Sequence, residues 1–135
     1  MRHLQPPLHV FVTLATLLPA AALLIGCDQP VKMEPYRPPA VEILMPVGDV
    51  DDLADGREFD RLVRLFAPGR EPSNEACLRY AMYRYQGRDP RQSGDTATAV
   101  VTVKDAKTGN QVGEVKWTMK KVNGFWKLTD APLPK

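Results

Sequence analysis

The side chains best suited to nucleophilic, metal-binding or acid–base chemistry are scarce in this 135-residue chain, which has two histidines and two cysteines. His3 and His9 lie within the first nine residues. Cys27 lies where an apolar stretch ends, and Cys77 stands alone far downstream. The chemistry open to the protein therefore depends on the fate of the first 27 residues.

That N-terminal segment has the three parts of a secretory signal: a positive start at Arg2, a stretch without formal charge over residues 8–25, and a small residue, Gly26, before Cys27. The alternative is an uncleaved transmembrane helix, because about 20 apolar residues span a bilayer. Pro19 and the early start of the apolar stretch weigh against that alternative.

The run Leu24-Ile25-Gly26-Cys27 resembles the lipobox of bacterial lipoproteins. The resemblance implies cleavage between Gly26 and Cys27, a diacylglycerol on the Cys27 sulfur and an acyl chain, such as palmitate, on the new amino group. It also implies a lipid-anchored protein of the bacterial cell envelope, on the periplasmic side of a membrane. Asp28 resembles the inner-membrane retention signal of enteric bacteria, and the choice between inner and outer membrane stays open.

Such cleavage would remove both histidines and leave Cys77 as the one thiol. Ser-His-Asp and Cys-His catalysis, His-ligated zinc and histidine acid–base chemistry would then be excluded. We therefore expect no enzyme, no metal and no cofactor. Cys77 is expected to be a small buried hydrophobe, with an intermolecular disulfide as the alternative. The formal charge of +2 gives no case for a nucleic-acid partner.

The chain divides by composition into a signal peptide over residues 1–26, a lipidated cysteine and Pro-rich tether over 27–47, and a domain over 48–135. Five prolines in the tether predict an extended segment that could reach on the order of 60 Å from the membrane. An apolar run over residues 41–45 interrupts it and could dock on the domain as a short strand or strap.

Two amphipathic helices are predicted at the start of the domain. The acidic run over residues 49–60 lacks EF-hand spacing and predicts the charged N-terminal side of a first helix, which ends at Pro68-Gly69. Its inward face is Phe59, Leu62, Val63 and Phe66. A second helix is predicted from Ser73 to Gly87, with a polar loop over residues 88–94. Its inward face is Leu78, Ala81, Met82 and Tyr85.

From Thr96 the apolar period changes to two, which predicts strands. A turn over residues 107–110 leads to a strand over residues 111–122, and Asn123-Gly124 predicts a two-residue hairpin. The predicted hairpin partners are Val122 with Phe125, Lys121 with Trp126, Lys120 with Lys127, Met119 with Leu128 and Trp117 with Asp130. One face would carry Trp117, Met119, Trp126 and Leu128, with Lys121 packed on Trp126 at the rim.

The predicted fold class is therefore α+β: two N-terminal helices packed on an antiparallel meander of three strands or more. Residues 115–128, which end in a Gly-x-Trp-Lys-Leu strand, resemble the small lipoproteins of the nuclear-transport-factor-two-like, cystatin-like roll superfamily. The resemblance covers roughly residues 57–130 and implies helices on one face of a curved sheet.

Two functions remain open. The first is a non-enzymatic binding or accessory domain for an envelope protein or the cell wall, with a helix surface of Arg79, Tyr80, Tyr83 and Arg84. The second is a small-molecule-binding or isomerase-like roll. Its aromatic cavity would be lined by Trp117, Trp126, Tyr80 and Tyr83, with Asp130 as the acid.

Overall fold

The computed structural model describes residues 38–135. Three helices precede four strands in this range, which confirms the α+β class. The elements are α1 (Pro39–Asp55), α2 (Phe59–Leu62), a 3-10 turn (Val63–Leu65), α3 (Asn74–Tyr80), β1 (Tyr83–Ser93), β2 (Thr96–Asp105), β3 (Gln111–Val122) and β4 (Phe125–Asp130). The predicted signal peptide, Gly26 and Cys27 lie outside the described residues.

Helix α1 replaces the extended segment that was predicted for residues 39–47, so that prediction is wrong there. Pro39 suits the first helical position because the N–H that it lacks would have no partner within the helix. Ile43, Val47 and Val50 follow at spacings of four and three residues and are at most 2% exposed. Burial of this face holds a helix that contains Pro46, a residue that removes one helical hydrogen bond.

The acidic residues Asp49 to Asp55 lie in the C-terminal half of α1. The prediction that they form the start of the next helix is therefore wrong. The predicted first helix is only one turn, α2, with the 3-10 turn after it. At Phe66 the backbone becomes extended and forms a parallel bridge to Leu128. The residue thus joins the sheet instead of extending the helix.

Helix α3 begins as predicted, because the Ser73 side chain accepts a hydrogen bond from the Ala76 backbone N–H at 3.2 Å. It ends at Tyr80 instead of Gly87, and residues 83–93, with most of the predicted polar loop, form β1. Leu78 and Met82, predicted to point inward, are 50% and 58% exposed.

The meander has four strands in the order β1-β2-β3-β4, all antiparallel. The extra strand is β1, which packs closely under α1: a Cβ at Gly87 would lie 2.9 Å from a methyl carbon of Leu44. In a strand, Tyr85 can point to the core while its neighbours Arg84 and Gln86 stay at least partly solvated.

The C-terminal hairpin follows the prediction at four of its five pairs. Asn123 and Gly124 both have positive φ, 51° and 81°, as a type I′ turn requires. The fifth pair is wrong: Thr118, not Trp117, faces Asp130, because the register shifts between Thr118 and Met119. The predicted inner face is confirmed, with Trp117, Met119 and Leu128 fully buried and Trp126 8% exposed.

The two ends of the sheet differ in what they carry. The β1–β2 and β3–β4 turns share one end, where the Lys121 backbone N–H donates to the Asp95 carbonyl at 2.7 Å. Helix α1 starts toward this end, since Leu44 lies over Gly87 whereas Asp51 contacts Tyr85, nearer the start of β1. We call it the entry end, and the β2–β3 turn marks the far end. Within residues 38–135 no helix is both long and apolar enough to cross a membrane.

Candidate binding grooves

Four aromatic rings pack against one another between the helices and the sheet. The centroid of Trp117 lies 5.2 Å from that of Tyr85 and 6.2 Å from that of Tyr80, and Phe66 lies 6.0 Å from Tyr80. Phe66, Tyr80, Tyr85 and Trp117 are each at most 7% exposed. We call these four side chains the aromatic interior.

The polar atoms of the aromatic interior all have partners. The Tyr80 hydroxyl donates to the Ala131 carbonyl, the Tyr85 hydroxyl donates to the Tyr80 carbonyl at 2.8 Å, and the Trp117 indole N–H donates to the Pro132 carbonyl at 3.0 Å. Burial, with a smaller contribution from Asp130, raises the pKa of Tyr80 to about 12. Burial likewise raises the pKa of Tyr85. These hydroxyls are structural donors that stay protonated at neutral pH.

Of the residues predicted to line a cavity, Tyr80 and Trp117 contact each other and Asp130 lies near Tyr80, but they do not enclose an open space together with Trp126. Trp117 is fully buried against two tyrosine rings. Trp126 lies nearer the hairpin turn, with the Lys121 ammonium 5.3 Å from its ring centroid, which confirms the predicted cation–π contact. Asp130 is exposed at the end of β4. The contacts of the two tryptophans and the exposure of Asp130 contradict the predicted cavity.

The predicted helix surface of Arg79, Tyr80, Tyr83 and Arg84 is also wrong as a set. Arg79 and Tyr80 belong to α3, whereas Tyr83 and Arg84 belong to β1. Tyr80 is buried, Tyr83 and Arg84 are half-buried, and of the four only Arg79 is exposed. The predicted helix runs on through residues that form β1, so the predicted helix surface does not exist.

Arg84 instead ties β1 to α1. Its guanidinium contacts Asp51 at 2.6 Å and Asp55 at 2.8 Å, while the other oxygen of Asp51 accepts the Tyr85 backbone N–H at 2.7 Å. The hydrogen bond to Asp51 is the main reason that the pKa of Arg84 is raised. The contact also places a cation beside the C-terminal half of α1, where it complements the helix dipole.

An open groove of about 400 Å³ lies between α1 and the segment that contains α2 and the 3-10 turn. We call it the charged groove. Its lining is Asp49, Asp52, Leu53, Glu58, Arg61, Arg64 and Leu65. Arg61 contacts Glu58 at 2.6 Å. Burial, and next the negative charge of Asp52, raises the pKa of Asp49. The groove therefore offers both charge signs beside two leucines.

A second groove, of about 290 Å³, shares Asp49 and Leu65 with the first and extends toward the entry end. We call it the apolar groove. Its remaining lining is Glu42, Met45, Pro46, Gly124, Phe125, Trp126 and Lys127. The Lys127 ammonium donates to the Arg64 carbonyl and so joins β4 to the segment after α2.

Sequence reasoning missed both grooves because α1 forms one wall of each. The signal available was the spacing of Ile43, Val47, Val50 and Ala54 along one helical face. Cys77 is buried, as predicted. Within residues 38–135, no three His, Cys, Asp or Glu side chains are grouped to hold a metal ion.

Comparison with known proteins gives structural likenesses alone. No family model matches the chain, and no curated protein matches it either. A protein of unknown function with a cystatin-like fold from Nostoc punctiforme aligns with a TM-score of 0.49 and 20% identity, over 66% of this chain and 84% of that one. An NTF2 variant aligns with a TM-score of 0.47 and 13% identity, over 62% and 88%.

A candidate polyketide cyclase from Sinorhizobium meliloti aligns with a TM-score of 0.42 and 20% identity, over 62% of this chain and 90% of that one. All three TM-scores are below 0.5. The α+β architecture follows from the helices and sheet of this chain themselves, and these likenesses carry no argument about its function.

Proposed function

We propose that this chain is a lipid-anchored bacterial envelope protein whose domain acts by non-enzymatic binding of an envelope partner in the charged groove. The observation that carries the proposal is the contrast within the domain: aromatic side chains pack together inside, while charged and apolar side chains line an open surface groove. A binding module needs an accessible, chemically mixed surface of this kind.

The lining of the charged groove supports a peptide or protein partner. Arginines 61 and 64 can bind carboxylates with two parallel hydrogen bonds, and Asp49 and Asp52 can accept from basic side chains. Leu65, which is half-buried, and Leu53, which is 9% exposed, add apolar surface to the same groove. A protein segment that alternates charged and apolar side chains fits this arrangement.

The anchor in this proposal depends on the lipobox-like run that ends at Cys27. Several acyl chains hold a soluble domain at a membrane stably, because each buried CH₂ contributes about 0.8 kcal/mol. The predicted reach of the tether shortens, since residues 39–47 are helical. The ten residues 28–37 can separate Cys27 from Pro38 by roughly 40 Å at most.

The test has two arms in a bacterium that processes the protein. In the first, cells are fed an alkyne analogue of palmitate, and the parent chain is compared with Cys27→Ala. We expect label and membrane retention in the parent, and no label in the variant. An unlabelled parent, or a mature chain that retains Met1, would overturn the anchor.

The second arm compares partner recovery from detergent-solubilised, cross-linked membranes. Arg61→Glu with Arg64→Glu reverses two charges in the groove and should abolish recovery of specific partners. Arg70→Glu with Arg79→Glu makes the same charge change at exposed positions outside the groove, and should leave recovery intact. Equal recovery from both double variants would discard the groove as the binding site.

A further inference from the structure

The entry end of the domain carries exposed apolar side chains. Phe125 follows the hairpin turn and is 69% exposed, whereas Val41 and Met45, in the first two turns of α1, are 49% and 41% exposed. Met45 and Phe125 line the same apolar groove, which brings the start of α1 and the hairpin tip together. We call Val41, Met45 and Phe125 the apolar patch.

Cationic side chains outnumber anionic ones around this patch. The cationic residues are Arg91 near the end of β1, Lys120 and Lys121 near the end of β3 and Lys127 in β4, and the acidic residues near them are Glu42, Asp49 and Asp95. Lys121 lies over Trp126, and Lys127 reaches the Arg64 carbonyl, so both stems cover apolar surface at the rim. An exposed aromatic ring flanked by lysines is typical of surfaces that rest on anionic lipid headgroups.

The position of the patch selects a lipid surface as its occupant. The chain enters the described domain at Pro38, directly before α1, so the ten-residue connection to Cys27 attaches at the same end as the patch. The charged groove begins farther along α1, at Asp49, which lies eight residues beyond Val41, about 12 Å along the helix axis. A bilayer that holds Cys27 would therefore meet the apolar patch before the charged groove.

We propose that the apolar patch rests on the anionic lipid surface to which the chain is anchored, so that the charged groove is held at a fixed height above the membrane. This inference rests on the proposed lipid anchor. The far end also carries an exposed apolar residue, Val112, at 44%, but the chain does not enter there. The entry end and the far end both carry exposed apolar residues, so the far end serves as the control for lipid contact at the entry end.

The test uses the full processed chain, purified from bacterial membranes and reconstituted into vesicles. A Cys77→Ala background carries a nitroxide either at Val41→Cys, in the patch, or at Asn110→Cys, at the far end. Electron paramagnetic resonance then compares relaxation of each label by oxygen, which enters lipid, and by a water-soluble nickel chelate. Vesicles are phosphatidylcholine alone or mixed with phosphatidylglycerol, and mass spectrometry of the same sample reads acylation of Cys27.

We expect the oxygen-to-nickel accessibility ratio to rise several-fold for the label at position 41 in phosphatidylglycerol vesicles, and to stay at its solution value at position 110. Phe125→Ser should remove most of this rise, whereas Val112→Ser should leave it unchanged.

Equal, water-like ratios at both positions on an acylated chain would overturn the docking inference and leave the anchor standing. A label at position 41 shielded from both reagents would also overturn it, because contact between protein copies, not lipid, would then cover the patch. An unmodified Cys27 would overturn the proposed anchor. Because its free thiol would also take the nitroxide, positions 41 and 110 would then be compared in a Cys27→Ala chain, and their ratios would still decide whether the patch contacts lipid.

Discussion

The aromatic interior and the charged groove use large side chains for opposite purposes. Inside, Trp117, Tyr80 and Tyr85 contact one another, and each polar atom has a backbone partner. In the groove, arginines and carboxylates surround an open volume. The difference teaches that, apart from Leu53, the residues that form the core are separate from those proposed to bind a partner, so substitutions should affect stability or binding without affecting both.

The largest loss of stability is expected on substitution of Trp117, which is fully buried and lies outside the charged groove. Trp117→Ala should lower the free energy of unfolding by about 3–5 kcal/mol, because it removes a whole ring and leaves a cavity. Urea denaturation followed by circular dichroism measures the loss. Trp117→Phe keeps part of the packing and should lower the free energy of unfolding clearly less than Trp117→Ala does. Equal losses from the two variants would show that the Trp117 ring is not packed as described.

A smaller loss is expected at Asp51, which joins α1 to β1. Asp51→Ala leaves the Tyr85 backbone N–H without its acceptor and removes one partner of Arg84, so unfolding should become easier by about 1–3 kcal/mol. Asp52→Ala, an exposed groove residue one position on, should change stability by less than about 0.5 kcal/mol. If Asp52→Ala lowered the free energy of unfolding as much as Asp51→Ala, the distinction between structural residues and groove residues would be contradicted.

The alkaline limit of stability should report on the interior tyrosines. The pKa of Tyr80 is about 12 in the folded chain against 10.0 for an ordinary tyrosine. The folded state thus keeps a proton that the unfolded state loses. Stability is fully present below pH 10.0 and falls as the pH rises toward about 12.

Urea midpoints measured across that range test this dependence. Tyr80→Phe should be less stable at neutral pH by about 1 kcal/mol, since one hydrogen bond is lost, and should show a shallower alkaline decline. A decline of unchanged slope in Tyr80→Phe would assign the effect to other groups, with Tyr85 the first to examine.

The smallest effect on stability is expected at Phe125, in spite of its size. Because this ring is 69% exposed, Phe125→Ser should change the free energy of unfolding by less than about 0.5 kcal/mol. The same urea titration measures it. A loss comparable to that of Trp117→Ala would place Phe125 in the core and remove it from the apolar patch.

The sequence predicts the second half of the domain better than the first, for physical reasons. In β2, β3 and the hairpin, strict alternation and Asn123-Gly124 set the face and register locally. The register shift beside Thr118 has no such local signal. Helix α1 was hidden because its prolines favour extended chain, and only packing of Ile43, Val47 and Val50 on the sheet overrides that preference.

Strand β1 was missed for a related reason. Residues 74–86 carry apolar side chains at spacings that suit a helix or a strand, and the choice is made by contacts remote in sequence, such as that of Gly87 with Leu44. The predicted helix surface failed with it, since Arg79 and Arg84 belong to different elements.

The central claim is that recognition occurs in the charged groove of a lipid-anchored domain. Photo-cross-linking in living cells tests it most directly, with a photoreactive amino acid placed at position 64 in the groove or at position 79 outside it. We predict discrete adducts with an envelope protein from position 64 that disappear with Arg61→Glu, and none of these adducts from position 79. The same adducts from both positions, or none from position 64 in a membrane-retained chain, would contradict the account.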